Sequence, residues 1–208
     1  MAKIALTGVG KRYITEWIFR KVTTDLTTEQ PCAILGSNGS GKSTLLQIIS
    51  GYVIPTEGTI EHSVNGKVLE QERCYQHVSI AAPYLELIED YTLPELIAFH
   101  GQFKQFRGNL SASQVIEIMQ LEKAANKPIK NFSSGMKQRA KLGLAILSDT
   151  EYLLLDEPTS NLDKEAIGWY QNLMAEYGPN RLIVVCSNRQ EHEYAFCTQF
   201  IELKNYKP

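Results

Sequence analysis

The sequence predicts an α/β fold in which a parallel sheet is covered on both faces by helices. Three observations predict it. Short, fully apolar runs alternate with helix-like stretches, the pattern of strands buried on both sides. A glycine-rich segment, GSNGSGKST at residues 36–44, lies between one such run and a helix-like run. The texture of the chain also changes after Pro83, where strand patterns give way to amphipathic helices.

The elements follow in order. Strand-like pieces at residues 3–7, 17–22, 32–35, 59–62 and 67–69 are separated by turn signals at Gly8 and Gly10, Pro55 with Gly58, and Asn65-Gly66. The last of these is a strong hairpin signal. The helix after the glycine-rich segment is expected to end near Gly51. A strand at 78–82 runs into Pro83. Residues 93–106 and 111–121 read as amphipathic helices, capped by Thr92 and by Asn109 or Ser111. The block to about Lys130 has few β-branched residues and reads as a helical insertion. Helices at 134–147 and 164–177 and apolar strands at 152–155 and 182–186 complete the core, with a last strand at 200–203.

Bulk properties narrow the function. At 208 residues the chain is one domain, or one core with an inserted subdomain. Lys and Arg total 21 against 23 Asp and Glu, which gives no electrostatic case for nucleic acid or an anionic membrane as main partner. No run approaches the roughly 18 apolar residues of a membrane span. The start, MAKIALTGVGKRY, lacks a signal-peptide core, so a cytosolic chain is expected. Cys32, Cys74, Cys186 and Cys197 are scattered without C-x-x-C pairing and read as buried free thiols, not a metal site. There is no internal repeat, low-complexity stretch or interdomain linker.

Three segments carry chemistry. The first has the Gly-x-x-x-x-Gly-Lys-[Ser/Thr] spacing of a phosphate-binding loop: Gly36, Ser37, Asn38, Gly39, Ser40, Gly41, Lys42, Ser43 and Thr44. Its glycines let backbone N–H groups converge on an anion. Lys42 is suited to the outer phosphates, and the Ser43 hydroxyl to Mg²⁺. The following helix adds a positive N-terminus. A glycine-rich structural turn is the bland alternative. The second segment, YLLLDEP at residues 152–158, ends an apolar strand in two acids. Asp156 is suited to hold Mg²⁺, and Glu157 to polarise or orient an attacking water. By itself such a strand could equally end in a solvated acidic turn. The third segment, NFSSGMKQR at residues 131–139, opens a helix with Ser133, Ser134 and Gly135. It is either an anion site at a helix N-terminus or an ordinary capped helix.

GSNGSGKST, FSSGMKQR and YLLLDEPTSNLD, in this order, resemble the ATP-binding cassette (ABC) ATPases, over essentially the whole chain. The resemblance implies a P-loop NTPase core with a parallel sheet, an antiparallel β subdomain and an inserted helical subdomain. Its boundaries here would be 1–83 and 136–208 for the core with the β subdomain, and 84–135 for the helical subdomain. It further implies that ATP and Mg²⁺ bind, and that two cassettes, in a homodimer or heterodimer, sandwich two ATPs head to tail. Ser133 and Gly135 would then meet the γ-phosphate held by the partner chain, with Ser134 standing where the family often has Gly. Tyr13 matches the residue that stacks on adenine; a surface tyrosine after a basic pair is its bland reading. Asp163, in SNLD, matches an acid at the dimer interface and also suits an N-cap of the next helix.

The chain departs from the family pattern twice. Where a glutamine usually touches Mg²⁺ and water, Pro83 or Tyr84 stands; Glu86 or Glu89 could reach in. Where a histidine usually contacts the γ-phosphate, Asn188 stands, able to donate a hydrogen bond but not to carry charge. His192 reads as an exposed helix residue. An active but slow ATPase is the expectation. The resemblance implies a transporter's ATPase subunit on the cytoplasmic face of the cell membrane. It would bind a separate transmembrane subunit, partly through exposed apolar residues between Tyr84 and Phe106, with export slightly favoured. A soluble ABC ATPase and a weakly hydrolysing ATP-gated binding module are the alternatives.

Overall fold

In the computed structural model, residues 1–207 are described. In chain order the elements are β1 (Ala2–Tyr13), β2 (Glu16–Thr27), β3 (Cys32–Leu35), α1 (Lys42–Ile49), β4 (Glu57–Val64), β5 (Lys67–Val68), α2 (Cys74–His77), β6 (Val78–Ala81), α3 (Leu93–Gly101), α4 (Ala112–Met119), α5 (Ser134–Leu147), β7 (Tyr152–Asp156), α6 (Lys164–Tyr177), β8 (Leu182–Ser187), α7 (Glu191–Tyr194) and β9 (Gln199–Glu202). They form two compact units, one of residues 1–80, 151–157 and 180–207, the other of residues 81–150 and 158–179.

The first unit holds two sheets. One is antiparallel, in the order β2-β1-β4-β5, and the other has five strands in the order β6-β7-β8-β3-β9. In the second sheet, β7 with β8, β8 with β3, and β3 with β9 are all parallel. β3, β7 and β8 are buried at every position, as their uninterrupted apolar sequence requires. Their side chains join Leu45, Leu46, Ile48 and Ile49 of α1 and the inward residues of β1 and β2 in one apolar core. Tyr152 of β7 ties the two sheets together. Its hydroxyl donates to the carbonyl of Ser63 on β4 at 2.9 Å, and its ring meets His62 edge-on at 5.9 Å. The Asn65-Gly66 turn closes the β4–β5 hairpin with both residues at positive φ, 51° and 76°, the conformation that the pair was read to favour.

The second unit is helical. Thr92 and Ser111 each form a capping box at the start of α3 and α4, which decides between Asn109 and Ser111 for the second helix. α5 and α6 also belong to this unit, so its division from the core does not follow the 84–135 boundary read from the sequence. Packing explains why. The Trp169 indole of α6 donates to the Ile118 carbonyl of α4 at 2.7 Å, and Gly143 of α5 leaves room for Met119: a Cβ there would stand 2.5 Å from the methionine Cε. The helix expected over 93–106 stops at Gly101, because Phe106 instead bridges to Ser148 and Gly108 turns the chain at φ 62°. α2 and α7, four residues each, were too short for periodicity to register. All four cysteines are free and buried.

His100 of α3 is stacked on Phe106 at 5.5 Å, and its Nε2 lies 2.7 Å from the Ser148 hydroxyl. That hydroxyl donates to the Leu144 carbonyl, so Nε2–H is the donor to Ser148. Burial, with Lys104 nearby, pulls the imidazole down from 6.5 to about 4. The unfolded chain therefore takes up a proton below pH 6.5 that the folded chain refuses until about pH 4, and stability falls across that window as pH drops. Burial lowers His62 in the same direction. Urea midpoints at pH 7 and pH 5 should differ more for the native chain than for His100→Gln, because His62 contributes equally to both; equal differences would exclude His100 as the source.

Candidate functional site

The glycine-rich loop leaves β3 and enters α1. Gly39 and Gly41 sit at φ 74° and 103°, which only glycine takes without strain. Gly41 also needs to be small: a Cβ would stand 2.5 Å from Ile18 Cγ2, where β2 lies against the loop. α1 starts at Gly41 with no side-chain cap and no acid in its first turn, so its leading N–H groups are available to an anion. Ser37, Asn38 and Gly39 are exposed, and Gly36, Ser40, Gly41, Ser43 and Thr44 are half-buried.

Lys42 points back over the loop. Its side chain is only 3% exposed, and its Nζ donates to the carbonyls of Gly36 at 3.0 Å and Ser37 at 3.2 Å. Glu157 Oε1 lies 3.4 Å from the same nitrogen. Parallel pairing produces this meeting: Asp156 ends β7 opposite Cys186 of β8, and Leu35 ends β3 opposite Ser187. The loop and the two acids thus leave neighbouring strands at the same edge of the sheet.

Asp156 is 2% exposed, and neither carboxylate oxygen has a hydrogen-bond partner. Burial raises its pKa, an effect that the Ser43 hydroxyl and Lys42 oppose and that Glu157 and Glu193 reinforce. An orphaned buried carboxylate beside a serine hydroxyl is a donor set for a hard divalent cation, so the residues present fit Mg²⁺. Glu157 holds φ 46°, an uncommon conformation for a non-glycine residue, while its N–H donates to the Cys186 carbonyl at 2.9 Å.

Asn188 follows β8 directly and is exposed. The preceding Ser187 carbonyl accepts the Gly36 N–H at 3.4 Å, which sets Asn188 beside the start of the loop. Tyr13, half exposed at 49%, ends β1 opposite Glu16, with the Lys11 ammonium 5.2 Å from its ring centroid.

The remaining expected site residues lie in the helical unit and form their own group. Ser133 caps α5, its hydroxyl accepting from the Met136 N–H at 3.2 Å; Ser134 and Gly135 open the helix. Asp163 caps α6, with Oδ1 accepting from the Ala166 N–H at 2.8 Å. The two capped starts share a concavity of about 330 Å³ that Gly135, Asn161 and Asp163 help to line. Glu89 does not offer a free carboxylate in place of the missing glutamine: Lys137 Nζ takes its Oε1 at 2.5 Å, and Lys130 pairs with the neighbouring Asp90 at 2.9 Å. Sequence reading passed over Arg189, Lys204 and Lys207, which line a concavity with residues 36–40. The signal was present in the position of Arg189, two residues past an apolar strand that pairs with the loop's own strand.

A protein-family model described as ABC transporter matches residues 19–160. Among curated relatives, the uncharacterized ABC transporter ATP-binding protein YcbN of Bacillus subtilis (strain 168) is 28% identical over 86% of this chain, which spans 60% of that protein. The Nod factor export ATP-binding protein I of Ralstonia nicotianae is 23% identical over 97% of this chain, which spans 64% of it. The chain thus covers under two thirds of the length of each. Among solved structures, a dimeric bacterial ABC transporter cassette superposes with a TM-score of 0.79 at 23% identity, covering 96% of this chain and 94% of that one. The same cassette bound to ADP and Pi after hydrolysis superposes with a TM-score of 0.75 at 24% identity, covering 91% of this chain and 90% of that one. The structures share the α/β cassette fold described above, and the family match spans most of the sequence. The chain belongs to the ABC transporter family.

Proposed function

We propose that the chain is the ATP-binding and ATP-hydrolysing subunit of a membrane transporter, powered by head-to-tail dimerisation of two cassettes. The observation that carries this reading is the meeting of the Lys42 ammonium, the unpartnered Asp156 carboxylate and Glu157 at one sheet edge, beside the uncapped start of α1. In the proposed cycle, Tyr13 stacks on adenine. The N–H groups of the loop and of α1 cradle the phosphates, and Lys42 exchanges its two carbonyl partners for phosphate oxygens. Ser43 and Asp156 would hold Mg²⁺, which when bound neutralises charge on the outer phosphates. Glu157 orients the attacking water and accepts its proton. Asn188 donates one neutral hydrogen bond to the terminal phosphate. Ser133, Ser134, Gly135 and Asp163 reach the nucleotide of the partner cassette. Ser133 and Asp163 act as caps throughout, so each holds its helix start in place for that contact.

Fluorescent-nucleotide titration and phosphate-release assays test this chemistry. Lys42→Ala should weaken ATP binding by about a hundredfold, whereas Glu157→Gln should keep binding and lose turnover by about a hundredfold or more. No turnover by the native chain at saturating Mg-ATP, with binding intact, would establish the ATP-gated binding module instead. That second reading is favoured by Pro83, which has no polar side chain, and by the uncharged Asn188.

Asp156→Asn separates the metal from the fold. Removing a buried, unpaired charge should stabilise the ligand-free chain by about 1–3 kcal/mol and abolish the Mg²⁺-dependent gain in ATP affinity. Thermal melts with and without Mg-ATP measure both, and an unchanged Mg²⁺ dependence would remove Asp156 from the site.

A transmembrane subunit is the proposed partner. No helix among the described residues is long and apolar enough to cross a membrane. In the helical unit Tyr91 meets Phe99 edge-on at 5.9 Å and Phe99 meets Phe103 edge-on at 5.2 Å; Phe99 and Phe103 are exposed, and this cluster is the proposed docking face. The Nod factor export proteins among the relatives favour export. A tagged pull-down from detergent-solubilised native membranes should recover a multi-span protein at about equal stoichiometry. Recovery of the chain in the soluble fraction alone, or with ribosomal or DNA-repair proteins, would move the reading to a soluble ATPase.

A further inference from the structure

Beside the loop lies a group of charges that the roles assigned above leave unused. A concavity of about 400 Å³ is lined on one side by residues 36–40 and on the other by Arg189, Glu202, Lys204 and Lys207. Three cations face one carboxylate there. The carboxylate is committed, since Arg189 Nη2 lies 2.7 Å from Glu202 Oε2. No ion pair among the described residues holds Lys204 or Lys207. On the loop side the Ser40 hydroxyl oxygen is buried without a hydrogen-bond partner. A cavity with surplus cations beside a glycine-rich loop selects an anion with several oxygens.

The position of the cavity narrows which part of that anion it meets. Gly36 and Ser37 line it, and their carbonyls hold the Lys42 ammonium. Lys42 is the group suited to the outer phosphates, so the cavity adjoins the outer end of a bound polyphosphate and not its nucleoside end. Arg189 is aimed at this place with some backbone strain. Its φ is 60°, an uncommon conformation for a non-glycine residue. Glycine or asparagine would make the same turn more cheaply. A guanidinium is the side chain best matched to phosphate oxygens, which it can bind through two parallel N–H donors.

We propose that Arg189 is a ligand of the terminal phosphate of the nucleoside triphosphate held by the loop, leaving Glu202 for that phosphate when the triphosphate binds. This rests on the nucleotide-binding reading of the loop. It places the positive charge that Asn188 cannot supply one residue further along. Because a diphosphate does not extend to this cavity, Arg189 distinguishes ATP from ADP.

Calorimetric titration with ADP and with a non-hydrolysable β,γ-imido analogue of ATP, both with Mg²⁺, reads this directly. Arg189→Gln should weaken the triphosphate analogue by about ten- to a hundredfold and leave ADP within about twofold. Glu202→Gln, which frees Arg189, should bind the analogue more tightly with ADP unchanged. If the native chain binds both nucleotides and Arg189→Gln keeps their affinity ratio, Arg189 is not the ligand and the nucleotide reading stands. Unchanged or weaker analogue binding by Glu202→Gln overturns the exchange of partners. If the native chain binds neither nucleotide, the reading of the loop fails and the role of Arg189 with it.

Discussion

A lysine ammonium and an aspartate carboxylate are both buried at the edge of an apolar sheet, and the first unit is organised around that arrangement. Burial of a charge is costly unless it is partnered. Lys42 meets the cost with two loop carbonyls and Glu157. Asp156 does not meet it: its oxygens are unpartnered, and its raised pKa reflects that debt. Such an imbalance persists only if the surrounding structure holds it in place. Fully buried β3, β7 and β8, with α1 packed against them, provide that rigidity. The same reasoning covers the left-handed backbone of Glu157, held by its N–H bond to Cys186. Strain and unpaired charge concentrate where a ligand would relieve them.

Much of this was legible in the sequence, for reasons that can be stated. Buried parallel strands need unbroken apolar runs, so β3 was read with its exact ends, and β7 and β8 to within one residue. Amphipathic helices with clear caps, α5 and α6, were read end to end. The loop was legible because glycine spacing and a lysine are required together. β1 and β2 were read as roughly half their length: the missed end of β1 carries the register shifts, and the missed end of β2 alternates and includes the polar Thr23, Thr24 and Asp25. The stop of the helix at Gly101 depends on a bridge from Phe106 to Ser148, a contact across about 40 residues that no local pattern encodes. The grouping of α5 and α6 with the helical unit likewise depends on contacts such as Trp169 to Ile118.

Within the site, legibility divided by the kind of signal. Residues carried by a motif were legible as candidates, and the structure adds their geometry: which carbonyls hold Lys42, and that the buried Asp156 oxygens have no hydrogen-bond partner. Ser133 and Asp163 illustrate a limit. Each fits both a capping role and an interface role, and the capping hydrogen bonds are present in both cases. A cap does not exclude a second contact, because a serine hydroxyl or a carboxylate retains acceptor capacity after one N–H. Arg189 illustrates the opposite case. No motif marks it, and only the pairing of β3 with β8 brings it to the loop.

The two departures from the family pattern need not act alike. Pro83 removes a polar side chain, and two of the acids that follow it are engaged elsewhere, Glu89 with Lys137 and Asp90 with Lys130. Those ion pairs fasten the segment after Pro83 to the start of α5 and to the turn before it, so the segment gains a mechanical tie where it lacks a chemical group. Asn188 has a charged neighbour within the same strand exit, and Glu202 already holds that neighbour in a defined place. Loss of charge at one position therefore does not imply its loss from the site. Phosphate chemistry depends on where positive charge sits relative to the oxygens, not on which residue number carries it. On the proposed reading, a site that keeps its cations and its carboxylates but lacks the glutamine binds the triphosphate firmly and is limited by how well its carboxylates orient water.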